Sequence, residues 1–125
     1  MQEDAKPWVA ESAYDLETGE VLFREGRDRR VIFFCQQAVE KRLKGLLVHQ
    51  TGEMPLRTHD LLRLANAVGM NPPTERQAFM KDLSDYYIES RYPEAGLLEA
   101  PPREKVREYL DRTSELLSWC DQQMR

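Results

Sequence analysis

The sequence predicts an all-α protein: an antiparallel up-and-down four-helix bundle with one additional short helix. Three observations lead there. Apolar residues recur at three- and four-residue spacing through most of the chain, no useful length alternates apolar and polar residues as a strand would, and Gly or Pro marks the breaks between periodic stretches. Those breaks leave only short connections, so successive helices must fold back on one another.

A chain of 125 residues suits one domain. We expect a single helical domain over 1–125 with its ordered core from about residue 7 to 124. Hydrophobic residues at 41% and charged residues at 32% supply one core under a well-solvated surface. No run of about 18 apolar residues is present, and Met1-Gln2-Glu3-Asp4 is acidic where a secretory signal is basic. The expected location is therefore cytoplasmic, without a membrane partner. A net charge of −4 argues against broad electrostatic binding to nucleic acid, so a polyanion must meet a local basic patch. Cys35 and Cys120 fall at apolar helical positions without a CxxC pair and read as small hydrophobes rather than a metal site or disulfide. No metal and no cofactor are expected.

Taken in order, Pro7 suits a first turn, and Trp8, Val9, Ala13, Leu16 and Leu22-Phe23 continue a first helix to about Arg24. Thr18-Gly19 weakens its middle by about 1 kcal/mol relative to Ala, and Gly26 breaks it. The central helix runs from about Asp28 to Gln50 and ends at Thr51-Gly52-Glu53-Met54-Pro55. A short helix follows between Thr58, its expected cap, and Gly69. After Asn71-Pro72-Pro73, Thr74 with Gln77 resembles a capping box for a helix through Phe79, Leu83, Tyr86 and Tyr87 to Glu89 or Ser90. Arg91-Tyr92-Pro93-Glu94-Ala95-Gly96 must leave the helix. Pro101-Pro102 then opens a last helix carrying Val106, Tyr109-Leu110, Thr113, Leu116-Leu117 and Cys120.

The chemistry is concentrated in the central helix. At ~100° per residue, Gln37, Glu40, Lys41 and Lys44 fall on one narrow side, and apolar residues cover the remainder. A helix so largely apolar has to sit centrally in the bundle, and its polar stripe is the place to look for a site.

The blocks Gln37-Ala38-Val39-Glu40-Lys41-Arg42-Leu43-Lys44, Thr58-His59-Asp60-Leu61, Tyr87 and Arg91-Tyr92-Pro93 resemble the HEPN family of small helical domains. The likeness runs from about Trp8 to the C-terminus. It implies a homodimer associated with a minimal nucleotidyltransferase in prokaryotic two-gene, toxin–antitoxin-like modules, binding nucleotide or substrate. In many branches of the family it implies a metal-independent RNase toxin. Those branches carry an Arg followed four to six residues later by His near the start of a late helix. Here no histidine follows Arg91, which turns the expectation toward a binding module rather than an enzyme.

On this reading the ligand-binding candidates are Gln37, Lys41, Lys44, His59, Tyr87 and Arg91. Lys41 and Lys44 lie one turn apart and offer positive charge to a phosphate. The weaker catalytic candidates are Arg42, His49, His59 and Arg91. Arg42 and His49 share a side with Cys35, Ala38 and Gly45, a packing surface about 10 Å long between the two. The competing readings are that Glu40 pairs with Lys44, Lys41 is solvated, Arg91 pins its own turn, and His59 only stabilises a helix start. Phe33 is a candidate dimer-interface residue. Three functions are therefore carried forward: a nucleotide- or substrate-binding module, an RNase in which RNA is the substrate, and a structural dimerisation subunit.

Overall fold

The computed structural model describes residues 1–92 and 99–123. Among them are five α-helices, α1 (Lys6–Arg24), α2 (Val31–Thr51), α3 (Leu61–Val68), α4 (Thr74–Ser90) and α5 (Arg103–Gln123), with no strand. Single 3-10 turns at Glu3–Ala5 and Asp28–Arg30 lead into α1 and α2.

The helix directions can be read from the contacts. Along α1, the positions of Trp8, Asp15 and Gly19 meet Gly45, Lys41 and Phe34 of α2, a descending register that makes the two helices antiparallel. Phe23, Glu20 and Gly19 of α1 meet Arg103, Arg107 and Leu110 of α5 in the same sense. Arg76, Phe79 and Tyr86 of α4 likewise meet Trp119, Arg112 and Tyr109. The up-and-down arrangement is as expected.

Helix α2 touches every other helix and is the axis of the bundle. Of its 21 residues, 14 are buried, a proportion that only a surrounded helix can reach. Leu43, Leu46, Leu61, Leu64, Met80, Leu83, Leu110 and Leu116 are almost fully enclosed and form the core with Cys35 and Cys120. Both cysteines are free, and burial pushes each thiol up to about 12, which suits packing groups rather than nucleophiles.

Several local expectations need correction. The cap of α3 is Asp60, whose carboxylate accepts from the Leu62 and Arg63 amides; Thr58 accepts instead from the Asp60 amide, just before the helix begins. The Thr74–Gln77 capping box does not form, because Pro73 is the N-cap and Gln77 donates to the Pro72 carbonyl. Gly19 does not interrupt α1. It is buried where a Cβ would lie 3.2 Å from Leu110 and 3.7 Å from Phe34, so its missing side chain permits close helix packing. Gly45 does the same opposite Trp8 and Val9, at 3.0 and 3.1 Å. Phe33 is half-buried, stacked on Tyr87 with ring centres 5.7 Å apart. The Pro93-Glu94-Ala95-Gly96 part of the expected turn lies outside the described residues.

Candidate functional site

The polar stripe of α2 divides between two neighbours. Towards α1, the Lys41 ammonium touches the Asp15 carboxylate at 2.7 Å and Glu11 at 3.9 Å. The Asp15 contact is a charge pair without the alignment of a hydrogen bond. Close by, the fully buried Ser12 hydroxyl donates to the Ala38 carbonyl at 2.6 Å. These groups pair off inside the α1–α2 seam.

Towards α3 and α4, the stripe becomes a ladder at four-residue intervals. Glu40 Oε1 accepts from Gln36 Nε2 at 3.1 Å and contacts His59 Nδ1 at 2.8 Å, while Oε2 accepts from Lys44 Nζ at 3.1 Å. Gln36 also donates to the His59 carbonyl at 3.1 Å and receives the Gln37 amide at 2.7 Å. Gln36, Glu40 and Lys44 are all buried. Burial pushes the Glu40 carboxyl up, but hydrogen bonds from Gln36, His59 and Lys44, with the Lys44 charge, outweigh it and hold the group below its ordinary 4.5. An ionised carboxylate is thus kept inside the bundle by three donors.

His59 carries this network outward. Its side chain is 48% exposed against 7% for Glu40, so one edge of the ring is inside and the other meets solvent. The imidazole lies against the Tyr87 ring, with centres 4.6 Å apart. Arg91 sits over the same tyrosine at 5.6 Å and reaches its hydroxyl at 3.4 Å. Tyr87, in ring contact with both Phe33 and His59, is the buried one of the adjacent tyrosines; Tyr86 packs edge-on to Tyr109.

These side chains wall a groove of about 470 Å³ between the His59 loop and the C-terminal half of α4. Leu62, Ile88 and Tyr92 make its apolar sides; Ser84, His59 and Arg91 supply polar atoms. Three further charges in the wall are already engaged: Lys81 pairs with Asp85 at 3.0 Å, and Asp60 caps α3. Among the described wall residues this leaves His59 and Arg91 to meet an anion.

Of the sequence-predicted ligand residues, the groove gathers His59, Tyr87 and Arg91. Lys44 stands behind it through Glu40, Gln37 stands behind it through Gln36, and Lys41 faces α1. Arg42 is buried and donates to Asp121 at 2.7 Å; His49 Nδ1 accepts from the Gln2 amide at 3.0 Å. Both therefore tie elements together at positions outside the groove. Sequence reasoning missed Gln36 as a site residue, although its spacing from Glu40 and Lys44 on an otherwise apolar helix was a usable signal.

A second hollow, of about 620 Å³, lies between α1 and α5. Its wall includes Glu17, Glu20 and Asp121 together with Arg24 and Arg42, with Arg42 paired to Asp121 and Glu20 to Arg107.

An all-helical bundle with a lateral groove built on a buried carboxylate is the class that fold and site define. The sequence matches the model of the HEPN domain over residues 5–123, and the chain belongs to the HEPN family. Its fold is similar to that of an archaeal HEPN homologue, ST0689, with 27% identity, complete coverage of both chains and a TM-score of 0.78. It is also similar to TT1696 from Thermus thermophilus, with 26% identity over 97% of this chain and 98% of the other, at a TM-score of 0.81. No curated protein matches the sequence. No helix among the described residues is long and apolar enough to cross a membrane, and they hold no cluster suited to a metal ion.

Proposed function

We propose that this HEPN domain is a binding module whose groove takes a nucleotide, with one phosphate group at His59 and Arg91 and the base against Tyr92, Ile88 and Leu62. The observation that carries the reading is that an imidazole and a guanidinium both rest against one buried tyrosine in the wall of the groove. Phosphate recognition calls for charge-assisted donors, and a base calls for flat apolar surface; the groove offers both side by side. With one guanidinium and one imidazole nitrogen left to meet an anion, the fit is to a monophosphate rather than a longer phosphate chain. A homodimer, and a minimal nucleotidyltransferase as working partner in a toxin–antitoxin-like pair, complete the proposal, with membership of the family as their support.

Calorimetric titration with nucleoside mono-, di- and triphosphates tests the reading. We expect saturable binding of a monophosphate, weakened at least about tenfold by Arg91→Ala. Equal affinity in the variant would remove the groove from the account. Sedimentation velocity tests the dimer, and co-purification with a minimal nucleotidyltransferase from the same cells tests the partner.

One observation favours a second reading. Arg91 and His59, the residues that acid–base cleavage of a phosphodiester would need, share the groove. RNA left intact by the purified protein, at concentrations that saturate nucleotide binding, would exclude that reading.

A further inference from the structure

The chain has two histidines, and the structure places them in opposite hydrogen-bonding roles. His49 Nδ1 accepts from the Gln2 backbone amide at 3.0 Å, so its neutral ring must carry the proton on Nε2. His59 Nδ1 lies 2.8 Å from Glu40 Oε1. An ionised carboxylate only accepts, so this nitrogen must carry the proton. The Gln36 amide is fixed in orientation too, because Gln37 donates to its oxygen and its nitrogen is left to donate to Glu40 and the His59 carbonyl. Ring and backbone of His59 are thus both held from α2. No partner meets Nε2 among the described residues, and His59 lines the groove.

We propose that Glu40 is a positioning residue for the groove: it holds His59 with its proton on Nδ1, leaving Nε2 to take up a second proton and donate it in a hydrogen bond to a bound phosphate oxygen. The inference rests on the reading of the groove as a phosphate site. It adds a proton to the binding event. A neutral ring presents the Nε2 lone pair, which repels an anion; the imidazolium presents an N–H and a charge. The atoms balance as one proton taken from water with each anion bound to a neutral ring.

The groups facing His59 are compatible with this. From α2 come the Glu40 carboxylate and, behind it, the Lys44 ammonium, which neutralise each other in part. From α4 come the Tyr87 ring, the Arg91 guanidinium and the Lys81–Asp85 pair. Asp60, adjacent in the chain, spends its carboxylate on the α3 amides. Glu40 stays ionised to below the ordinary carboxylate range, so the arrangement persists through the imidazole window of roughly pH 5 to 8. Anion affinity is highest at the acidic end of that window and falls as pH rises.

Nitrogen-15 NMR of the imidazole rings in the free wild-type protein at pH 8 reads the tautomers directly. We expect opposite ones: proton on Nε2 for His49 and on Nδ1 for His59. An Nε2–H tautomer at His59 would overturn the proposal, whatever binds. Glu40→Gln, checked for folding by its far-ultraviolet spectrum, should let both tautomers of His59 appear. Sulfate, whose charge is constant over this range, then serves as the anion. Its affinity should fall about tenfold from pH 6 to pH 8, and that dependence should vanish in His59→Gln. Absent binding, or equal affinity at both pH values, would overturn the proton coupling. Proton-coupled sulfate binding without any nucleotide binding would instead sustain this inference and reject the nucleotide reading.

Discussion

Glu40 and Lys41 are neighbours on the same helix, both charged and both at least half-buried, yet the bundle uses them in contrasting ways. Lys41 turns to α1, where Asp15 answers it charge for charge beside the seam closed by Gly19, Gly45 and Ser12. Glu40 turns to the His59 loop, where three donors converge on it and one of them is half in solvent. The difference teaches that burying charge serves two ends in this molecule. On the α1 side the interactions stay between two helices and specify how they meet. On the α4 side they run outward and set the orientation of a ring in a groove.

Substitutions can break or sharpen that contrast. The largest effect is expected at Gly45→Val, where the added atoms meet Trp8, Val9 and the Ala5 carbonyl at 3.0, 3.1 and 3.4 Å. Overpacking there should cost about 3 kcal/mol, seen as a lower midpoint in denaturant melts, with nucleotide affinity unchanged under folding conditions. Asp15→Ala leaves Lys41 half-buried without its nearest partner and should cost about 2 kcal/mol in the same melts. A stability within about 0.5 kcal/mol of wild type would show that the seam is held by packing alone.

Arg91→Ala should do the opposite. It removes an exposed side chain resting on Tyr87 and should leave the melt within about 0.5 kcal/mol of wild type while weakening nucleotide binding. Substantial destabilisation with intact binding would reverse the roles assigned to the two sides. The smallest effect is a slope. The Glu40 carboxyl is held below its ordinary 4.5, so its contribution to stability is present above that value and is lost as pH falls through the lower, folded one. Between about pH 5 and 3, wild type should therefore lose more stability than Glu40→Gln, in which nothing titrates at that position.

The fold was legible because its signals are local. Periodicity, Gly52 and Gly69 as left-handed helix ends, and Pro101-Pro102 before α5 depend on neighbours in sequence. Where expectation and structure part, a contact distant in sequence decided. Gly19 reads as a weak point within α1 and is explained only by Leu110 and Phe34. Thr58 and Asp60 are both competent caps, and the backbone path into α3 chose Asp60. Of the candidate ligand residues, His59, Tyr87 and Arg91 share a groove, because the blocks that hold them lie on elements packed side by side. Helical spacing placed Gln37, Lys41 and Lys44 on one side of α2. It carried no information on which neighbour would cover which edge: α1 gave Lys41 its partner Asp15, whereas Lys44 pairs one turn back on α2 with Glu40, as the competing reading of the same spacing has it.

The most direct test of the central claim is to map a nucleoside monophosphate onto the assigned amide spectrum of the protein. Shifts confined to Thr58–Leu62 and Ser84–Tyr92, with the α1–α5 hollow silent, are what the groove predicts. Shifts centred on Glu17, Arg42 and Asp121, or none at saturating ligand, would contradict it.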